Sequence, residues 1–157
     1  MNDARRILGS SRNILLVDWP NAGVPRALLE AGHNVFGYSP HRYTVAELST
    51  ERPGREADVV GMIPSPGAPD AGWLVFRALE GRPASVDVVA VYRPEAELPG
   101  IIAEHALPLG ARVLWLQRPA ASDEERAMIE EQGLLFVEYP DMAEAARSTP
   151  GAERTEG

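Results

Sequence analysis

Residues 13–38 combine, in one continuous stretch, the patterns of a strand, a loop, a helix and a second strand. The unbroken apolar run at 14–17 is typical of a strand that is buried on both faces of a parallel sheet. The loop at 19–23 contains proline, asparagine and glycine, which favour turns and cannot extend a central strand. A helix is predicted at 24–32, with proline in its first turn and glycine at its end, and the second strand at 35–38.

A strand–helix–strand unit has a functional consequence before any motif is considered. The loop that leaves the first strand opens at the carboxyl edge of the sheet, where open α/β sheets bind ligands. The free N–H groups and the positive dipole end of the helix should point into the same crevice and favour an anionic group. We therefore predict an anionic small-molecule ligand in a crevice formed by Trp19, Asn21, Ala22, Gly23 and Val24.

The second half of the chain continues the alternation of strands and helices. The pattern predicts strands at 86–92, 113–117 and 134–137, and helices at 95–109, 122–132 and 141–147. The second of these helices opens with a capping box formed by Ser122 and Glu125. Such alternation requires parallel pairing with right-handed crossovers. The predicted fold class is therefore α/β, a three-layer α/β/α sandwich with a mainly parallel sheet of about five strands.

The chain is expected to form one domain over residues 1–147, followed by a frayed tail at 148–157. Residues 1–12 are polar and basic and are interpreted as a surface lead-in. Residues 39–43 are interpreted as a loop that closes over the crevice. Residues 44–84, where proline and glycine cluster, are interpreted as an elaborated crossover that contains a strand at 58–63 and a strand or short helix at 73–77.

Composition argues against several classes of function. The formal net charge of −8 and the lack of a Lys/Arg stripe argue against nucleic-acid binding. No long apolar run and no leader are present, so neither a membrane span nor a secretory signal is expected. The absence of cysteine suits a cytoplasmic protein. His33, His41 and His105 match no metal-binding spacing, so no metal site is expected, and His105 is placed at the rim of the sheet.

Polar residues follow the other predicted strands at the same edge. Arg93 would direct its guanidinium at an anion, or form a salt bridge with Asp18 or Glu95. Gln117 and Arg118 would donate hydrogen bonds either to a ligand or to neighbouring loops. The crevice is expected to hold more donors than carboxylates. The candidate ligand-binding residues of these loops are Ser39, Pro40, Arg42, Tyr92, Arg93, Pro94 and Gln117.

Two residues at the end of the first strand have competing interpretations. Asp18 would repel a phosphate unless a cation intervened, and the favoured interpretation is that it caps N–H groups of the next loop. Trp19 either stacks on a flat ligand ring or packs into the core, which is the commoner role of tryptophan. The G-x-G-x-x-G fingerprint, a nucleophile elbow and a P-loop are all absent. An enzyme is therefore the least favoured function, and Asp18 with Arg93 is the one pair to test for it.

Residues 13–32, 89–102 and 110–117 resemble the small CoA-binding-domain proteins with a Rossmann-like fold. The Gly-Ala-x-x-x-Trp-x-Gln element at 110–117 is the most specific part of the likeness, which covers residues 13–137 except 39–84. This sequence departs from the family pattern at Asp18, where many members have glycine, in its shorter first loop, and at 138–142, where many members carry a cysteine.

The resemblance implies a single Rossmann-like domain that binds CoA, acyl-CoA or a related adenine nucleotide at the carboxyl edge of the sheet without catalysis. The alternative is a structural or regulatory interaction protein with a degenerate pocket. Such a protein would use the proline-rich residues 52–69 to contact a protein partner or a second copy of the chain.

Overall fold

The computed structural model describes residues 3–19, 21–39, 41–65, 72–116, 122–138 and 141–148. A short 3-10 turn, Glu95–Glu97, precedes the helix Leu98–Ile101, and a π-helical turn, Ile102–Ala106, continues that helix. The elements, in chain order, are α1 (Asp3–Gly9), β1 (Asn13–Val17), α2 (Gly23–Glu30), β2 (Asn34–Tyr38), β3 (Tyr43–Ser49), β4 (Val59–Pro64), β5 (Trp73–Ala78), β6 (Val88–Val91), α3 (Leu98–Ile101), β7 (Val113–Leu116), α4 (Asp123–Glu131), β8 (Leu135–Glu138) and α5 (Met142–Ser148).

The described strands form one eight-stranded sheet in the order β4-β5-β3-β2-β1-β6-β7-β8. The five strands from β2 to β8 along this order run parallel, whereas β3, β5 and β4 pair antiparallel. The predicted α/β class and the mainly parallel sheet are confirmed. The predicted number of strands describes the parallel core and is too low for the whole sheet.

The sheet separates two layers of helices, because alternate residues of each central strand point to opposite faces. Ile14 and Leu16 of β1 pack into a core with residues of α1, α2 and α5. Leu15 and Val17 pack into a second core on the other face, with α3 and α4. This arrangement confirms the predicted three-layer sandwich. Gly32, with a φ of 98°, ends the first strand–helix unit in the left-handed conformation expected after α2.

The segment interpreted as a crossover forms three antiparallel strands, β3, β4 and β5. The strand predicted at 58–63 is confirmed by β4, and the alternative at 73–77 is resolved as the strand β5. β2 and β3 pair antiparallel as a hairpin from Tyr38 and Tyr43, and Ser39 N–H donates to Arg42 O at 3.2 Å. The interpretation of residues 39–43 as a loop that closes over the crevice stays a prediction. Arg77 of β5 ties the extension together through ion pairs of 2.9–3.1 Å with Glu47, Glu56 and Asp58.

The expectation that residues 1–12 form a polar lead-in on the surface is wrong for residues 3–9, which form the helix α1. Ala4, Ile7 and Leu8 lie at helical spacing and are buried, and they belong to the core that α5 also enters. The two arginines between them, Arg5 and Arg6, gave the segment its polar character in the sequence. At the other end, α5 confirms the predicted terminal helix, and the predicted tail from residue 149 onward lies outside the described residues.

The capping box predicted at the start of α4 is confirmed. Ser122 Oγ accepts from Glu125 N–H at 3.0 Å, and Glu125 Oε1 accepts from Ser122 N–H at 3.1 Å. Ser122 Oγ also donates to Glu95 Oε2 at 3.2 Å, which links α4 to the turn before α3. The box satisfies N–H groups that the first turn of a helix otherwise leaves unpaired.

Replacing Ser122 with alanine should lower the free energy of unfolding by about 1 kcal/mol, because the cap is lost and Glu125 keeps no reciprocal partner there. Urea denaturation followed by circular dichroism measures the change. Ser85→Ala, at an exposed site between β5 and β6, is the matched control and should leave the unfolding free energy unchanged. Equal midpoints for the two variants would contradict the role of the box.

Candidate functional site

A cleft of about 600 Å³ opens at the carboxyl edge of the parallel strands. Asp18 follows β1 at this edge, Ser39 follows β2, and Arg93 follows β6; all three side chains line the cleft together with residues of the helical segment 95–106. Val17, Tyr38 and Val91 end their strands at the same level because β1 pairs in register with both neighbours. A cleft thus lies at the predicted edge of the sheet, but it is formed between the strand ends and α3. Trp19, Asn21, Ala22, Gly23 and Val24, which were predicted to form the crevice, do not line it.

Trp19 lies on the opposite face of the sheet from Arg93. Its ring stacks on Phe76 with a centroid distance of 5.3 Å and an interplanar angle of 17°, against the core that α2 covers. Gly37 permits this contact, since a Cβ there would lie 2.7 Å from the Trp19 ring. The structure thus favours the core-packing interpretation of Trp19, and the ring takes no part in the cleft around Arg93.

The backbone N–H groups at the start of α2 donate to acceptors within the same segment of the chain. Gly23 N–H donates to Asn21 Oδ1 at 2.9 Å, Val24 N–H to Asn21 O at 3.4 Å, and Arg26 N–H to Ala22 O at 3.2 Å. Pro25 has no N–H. The prediction of free N–H groups aimed into the crevice is therefore wrong for this first turn, because Asn21 and Ala22 accept them.

The other predicted ligand residues are distributed around this edge. Val24 is buried in the core and Ala22 packs against it. Tyr92 is half-buried and packs on the same core, whereas Arg42 and Pro94 are exposed. None of these five residues lines the cleft. Pro40, Gln117 and Arg118 lie outside the described residues.

Asp18 combines two of the roles that the sequence left open. Its φ of 66° is in the left-handed region, which aspartate tolerates better than most residues. Trp19 N–H donates to Asp18 Oδ1 at 3.0 Å, and Arg93 Nη1 donates to Asp18 Oδ2 at 3.1 Å. Asp18 therefore caps the following loop and also forms the salt bridge to Arg93.

Arg93 makes its stronger contact with Glu97. Nε donates to Glu97 Oε1 at 2.9 Å and Nη2 to Oε2 at 2.7 Å, the bidentate geometry that suits a guanidinium. Hydrogen bonding to Arg93 lowers the pKa of Glu97 below its usual value. Glu95, the other partner expected for Arg93 besides Asp18, contacts Ser122. The spacing of four residues between Arg93 and Glu97 is the sequence signal for the observed pair.

Tyr38 and His105 line the cleft and form, with Tyr43, a cluster of rings that the sequence did not predict. Tyr43 Oη and His105 Nδ1 share a hydrogen bond, and the Tyr38 ring lies 4.3 Å from the His105 ring between centroids. His105 is only 6% exposed, so its expected rim position is wrong. Burial lowers the pKa of His105, and burial with the nearby Tyr38 raises the pKa of Tyr43.

Among the described residues, the charged groups of the cleft are mainly acidic. They are the carboxylates of Asp18, Glu97 and Glu104 and the guanidinium of Arg93. The described ranges contain no group of three or more His, Asp and Glu side chains that could hold a metal ion. None of the helices in the described part of the chain has the length and apolar character that a membrane crossing requires.

Residues 17–140 match the model of a family described as the CoA binding domain. The chain belongs to the CoA-binding domain family. No functionally curated protein matches its sequence. Similar solved structures share the family fold and are too distant to show more than that fold.

Three such structures cover nearly the whole chain. A redesigned PH1109 protein has a TM-score of 0.61 at 20% identity, covering 95% of this chain and 91% of its own. A hypothetical protein from Pyrococcus horikoshii OT3 has a TM-score of 0.54 at 23% identity, and the match covers 99% of this chain and 91% of that protein. A Thermus thermophilus protein has a TM-score of 0.52 at 18% identity, and the match covers 99% of this chain and 98% of that protein.

Replacing His105 with glutamine should flatten the dependence of stability on pH below 6.5, the usual histidine pKa. In the folded chain the pKa of His105 is lower, so the unfolded state binds more protons as the pH falls through 6.5, and stability decreases with it. Above that value the imidazole is neutral in both states and contributes no slope. Urea denaturation across this range measures the slope.

The exposed His41 supplies the control, because His41→Gln changes a histidine at the opening of the same cleft without removing the buried ring. An unchanged slope in His105→Gln would show that the acid sensitivity of the fold arises elsewhere.

Proposed function

We propose that this protein binds CoA, acyl-CoA or a related adenine nucleotide, without catalysis, in the cleft at the carboxyl edge of its sheet. The observation that carries the proposal is the meeting of Ser39 and Arg93 at one cleft of about 600 Å³ in a chain of the CoA-binding domain family. The volume lies within the usual range of small-molecule sites. We place the protein in the cytoplasm, which suits a chain without cysteine.

The cleft offers both an apolar wall and a cation. Val17 and Ile101 belong to the core beneath the cleft and reach its surface, and the rings of Tyr38 and His105 continue this wall. Such a surface suits a flat base or an aliphatic arm, whereas Arg93 suits a phosphate. A nucleotide-containing ligand presents both kinds of group.

The ion pairs of Arg93 do not prevent phosphate binding. The side chains of Arg93 and Asp18 are 40% and 37% exposed, and Glu97 is 45% exposed. Ion pairs this open to water are weak, so a phosphate with two or more charges competes with either carboxylate for the guanidinium. The excess of carboxylates weakens the affinity, and an adjacent cation would offset it.

Replacing Asp18 with asparagine should raise the affinity for CoA about fivefold, because one repelling charge is removed and Arg93 gains a free donor. Asparagine keeps the left-handed backbone and the acceptor for Trp19 N–H. Arg93→Ala should lower the affinity about tenfold. Calorimetric titration of the folded proteins with CoA, acetyl-CoA and NAD measures both changes.

One control variant and one refuting outcome complete the design of these titrations. Arg5→Met removes an exposed arginine of α1, far from the cleft, and should leave the affinity for CoA unchanged. Absence of heat with all three ligands at millimolar concentration, in the original chain and in Asp18→Asn, would refute the proposal.

The second candidate is a structural or regulatory protein that has kept the fold and lost ligand binding. It is favoured by the pairing of Arg93 with two carboxylates and by the internally bonded first turn of α2. In this case a stable protein complex should be recovered by affinity purification, and Arg93→Ala should leave its yield unchanged. Loss of the complex in that variant would contradict the second candidate.

A further inference from the structure

A second cavity, of about 470 Å³, lies along the flank of α2, and we refer to it as the flank cavity. It is bounded by α2, by the end of β3 and by the start of β5, on the sheet face that α2 covers. It shares no lining residue with the cleft at the carboxyl edge. A ligand bound in the flank cavity would therefore occupy a different site from the ligand proposed for the cleft.

The flank cavity is lined by Arg26, two of whose donor atoms are unused. Nε and Nη2 of Arg26 are buried and have no hydrogen-bond partner among the described residues. Glu30, one turn further along α2, lines the same cavity and forms no ion pair with Arg26 in the described part of the chain. A guanidinium is always charged, so burying these two donors without an acceptor is unfavourable. Because both atoms are closed to solvent, an anion in the cavity reaches them when the side chain turns toward it, and the unpaired state favours that rotation.

A second guanidinium reaches the cavity from another helix. Arg147, near the end of α5, lines the cavity, and its Nη2 lies 3.8 Å from the position that a Cβ on Gly23 would occupy. Among the described residues, the lining thus holds two arginines and one carboxylate, that of Glu30. This local excess of positive charge contrasts with the formal net charge of −8 for the whole chain.

The remaining wall of the cavity is mixed: Ser49, Thr50 and Ser65 line it beside an apolar part formed by two large side chains. Leu48 is 44% exposed, unusual for leucine beside a core, and the half-buried Trp73 lies next to it. Arg52 stands over the Trp73 ring, 5.4 Å from its centroid, which fixes the ring from one side. An aromatic or aliphatic group would find its contact surface on these two side chains.

We propose that the flank cavity binds a small organic oxyanion, either a carboxylate or a phosphate monoester, carried on an apolar body. The oxyanion accepts hydrogen bonds from Arg26 and Arg147, and the apolar body packs against Leu48 and Trp73. Two guanidinium groups suit such an anion because each presents paired donors in one plane. The cavity has the volume of a site for a small molecule.

Titration with phenyl phosphate, benzoate and the neutral benzyl alcohol tests this proposal, with calorimetry and tryptophan fluorescence as readouts. We expect saturable binding of at least one anion, one per chain, with a change in fluorescence because Trp73 lines the site. Whichever anion binds more tightly identifies the oxyanion class. Equal binding of benzyl alcohol, or no saturable binding of either anion at millimolar concentration, would overturn the proposal.

Arg26→Met tests the role of the unpaired guanidinium. It keeps most of the side-chain length and should weaken binding of the preferred anion at least tenfold, and Arg147→Met should weaken it less. Arg5→Met is the matched control and should leave this binding unchanged. Undiminished binding in Arg26→Met would overturn the assignment of Arg26.

Thermal unfolding without added anion provides a second measurement. Because Arg26→Met removes a buried charge that lacks a partner, its Tm should be a few degrees higher than that of the original chain. A lower Tm together with absent anion binding would show that a group of the chain itself pairs with Arg26, and it would overturn the proposal. Neither result bears on CoA binding at the other cleft.

Discussion

The parallel pairing of β1 with β2 on one side and β6 on the other is the interaction on which the rest of this structure depends. Residues 14–17 are at most 5% exposed, because both faces of the strand are covered by helices. The two registers align Val17 with Tyr38 and with Val91, so three loops leave the sheet at one level. A cleft at this point is a geometric result of that alignment, and the side chains that follow each strand determine what it can bind.

The fold could be predicted from the sequence where the pattern is local. The apolar run of β1, the amphipathic α2 and the capping box of α4 each need only neighbouring residues, and all three were found. The antiparallel strand β3 was missed because its pairing with β5 joins residues that are far apart in the sequence. The helix α1 was missed because the charges of Arg5 and Arg6 masked the spacing of its buried residues.

The candidate site shows the same division between local and distant contacts. The position of Arg93 after β6 and its contact with Asp18 could be inferred from strand ends alone. The pair of Tyr43 and His105 could not, since it depends on β3 lying beside β2 and on the turn that buries His105. The acidic lining followed from Glu97 and Glu104, two residues of a helical segment whose orientation the sequence did not reveal.

The hairpin between β2 and β3 determines how a ligand reaches the cleft. In a fully parallel sheet a long crossover would follow β2 and could swing over the strand ends, whereas here the chain turns back at once, with His41 held at a φ of 63°. One side of the cleft is thus bordered by two paired strands. If the proposed anionic ligand binds there, the carboxylates of the lining would slow its approach more at low salt than at high salt.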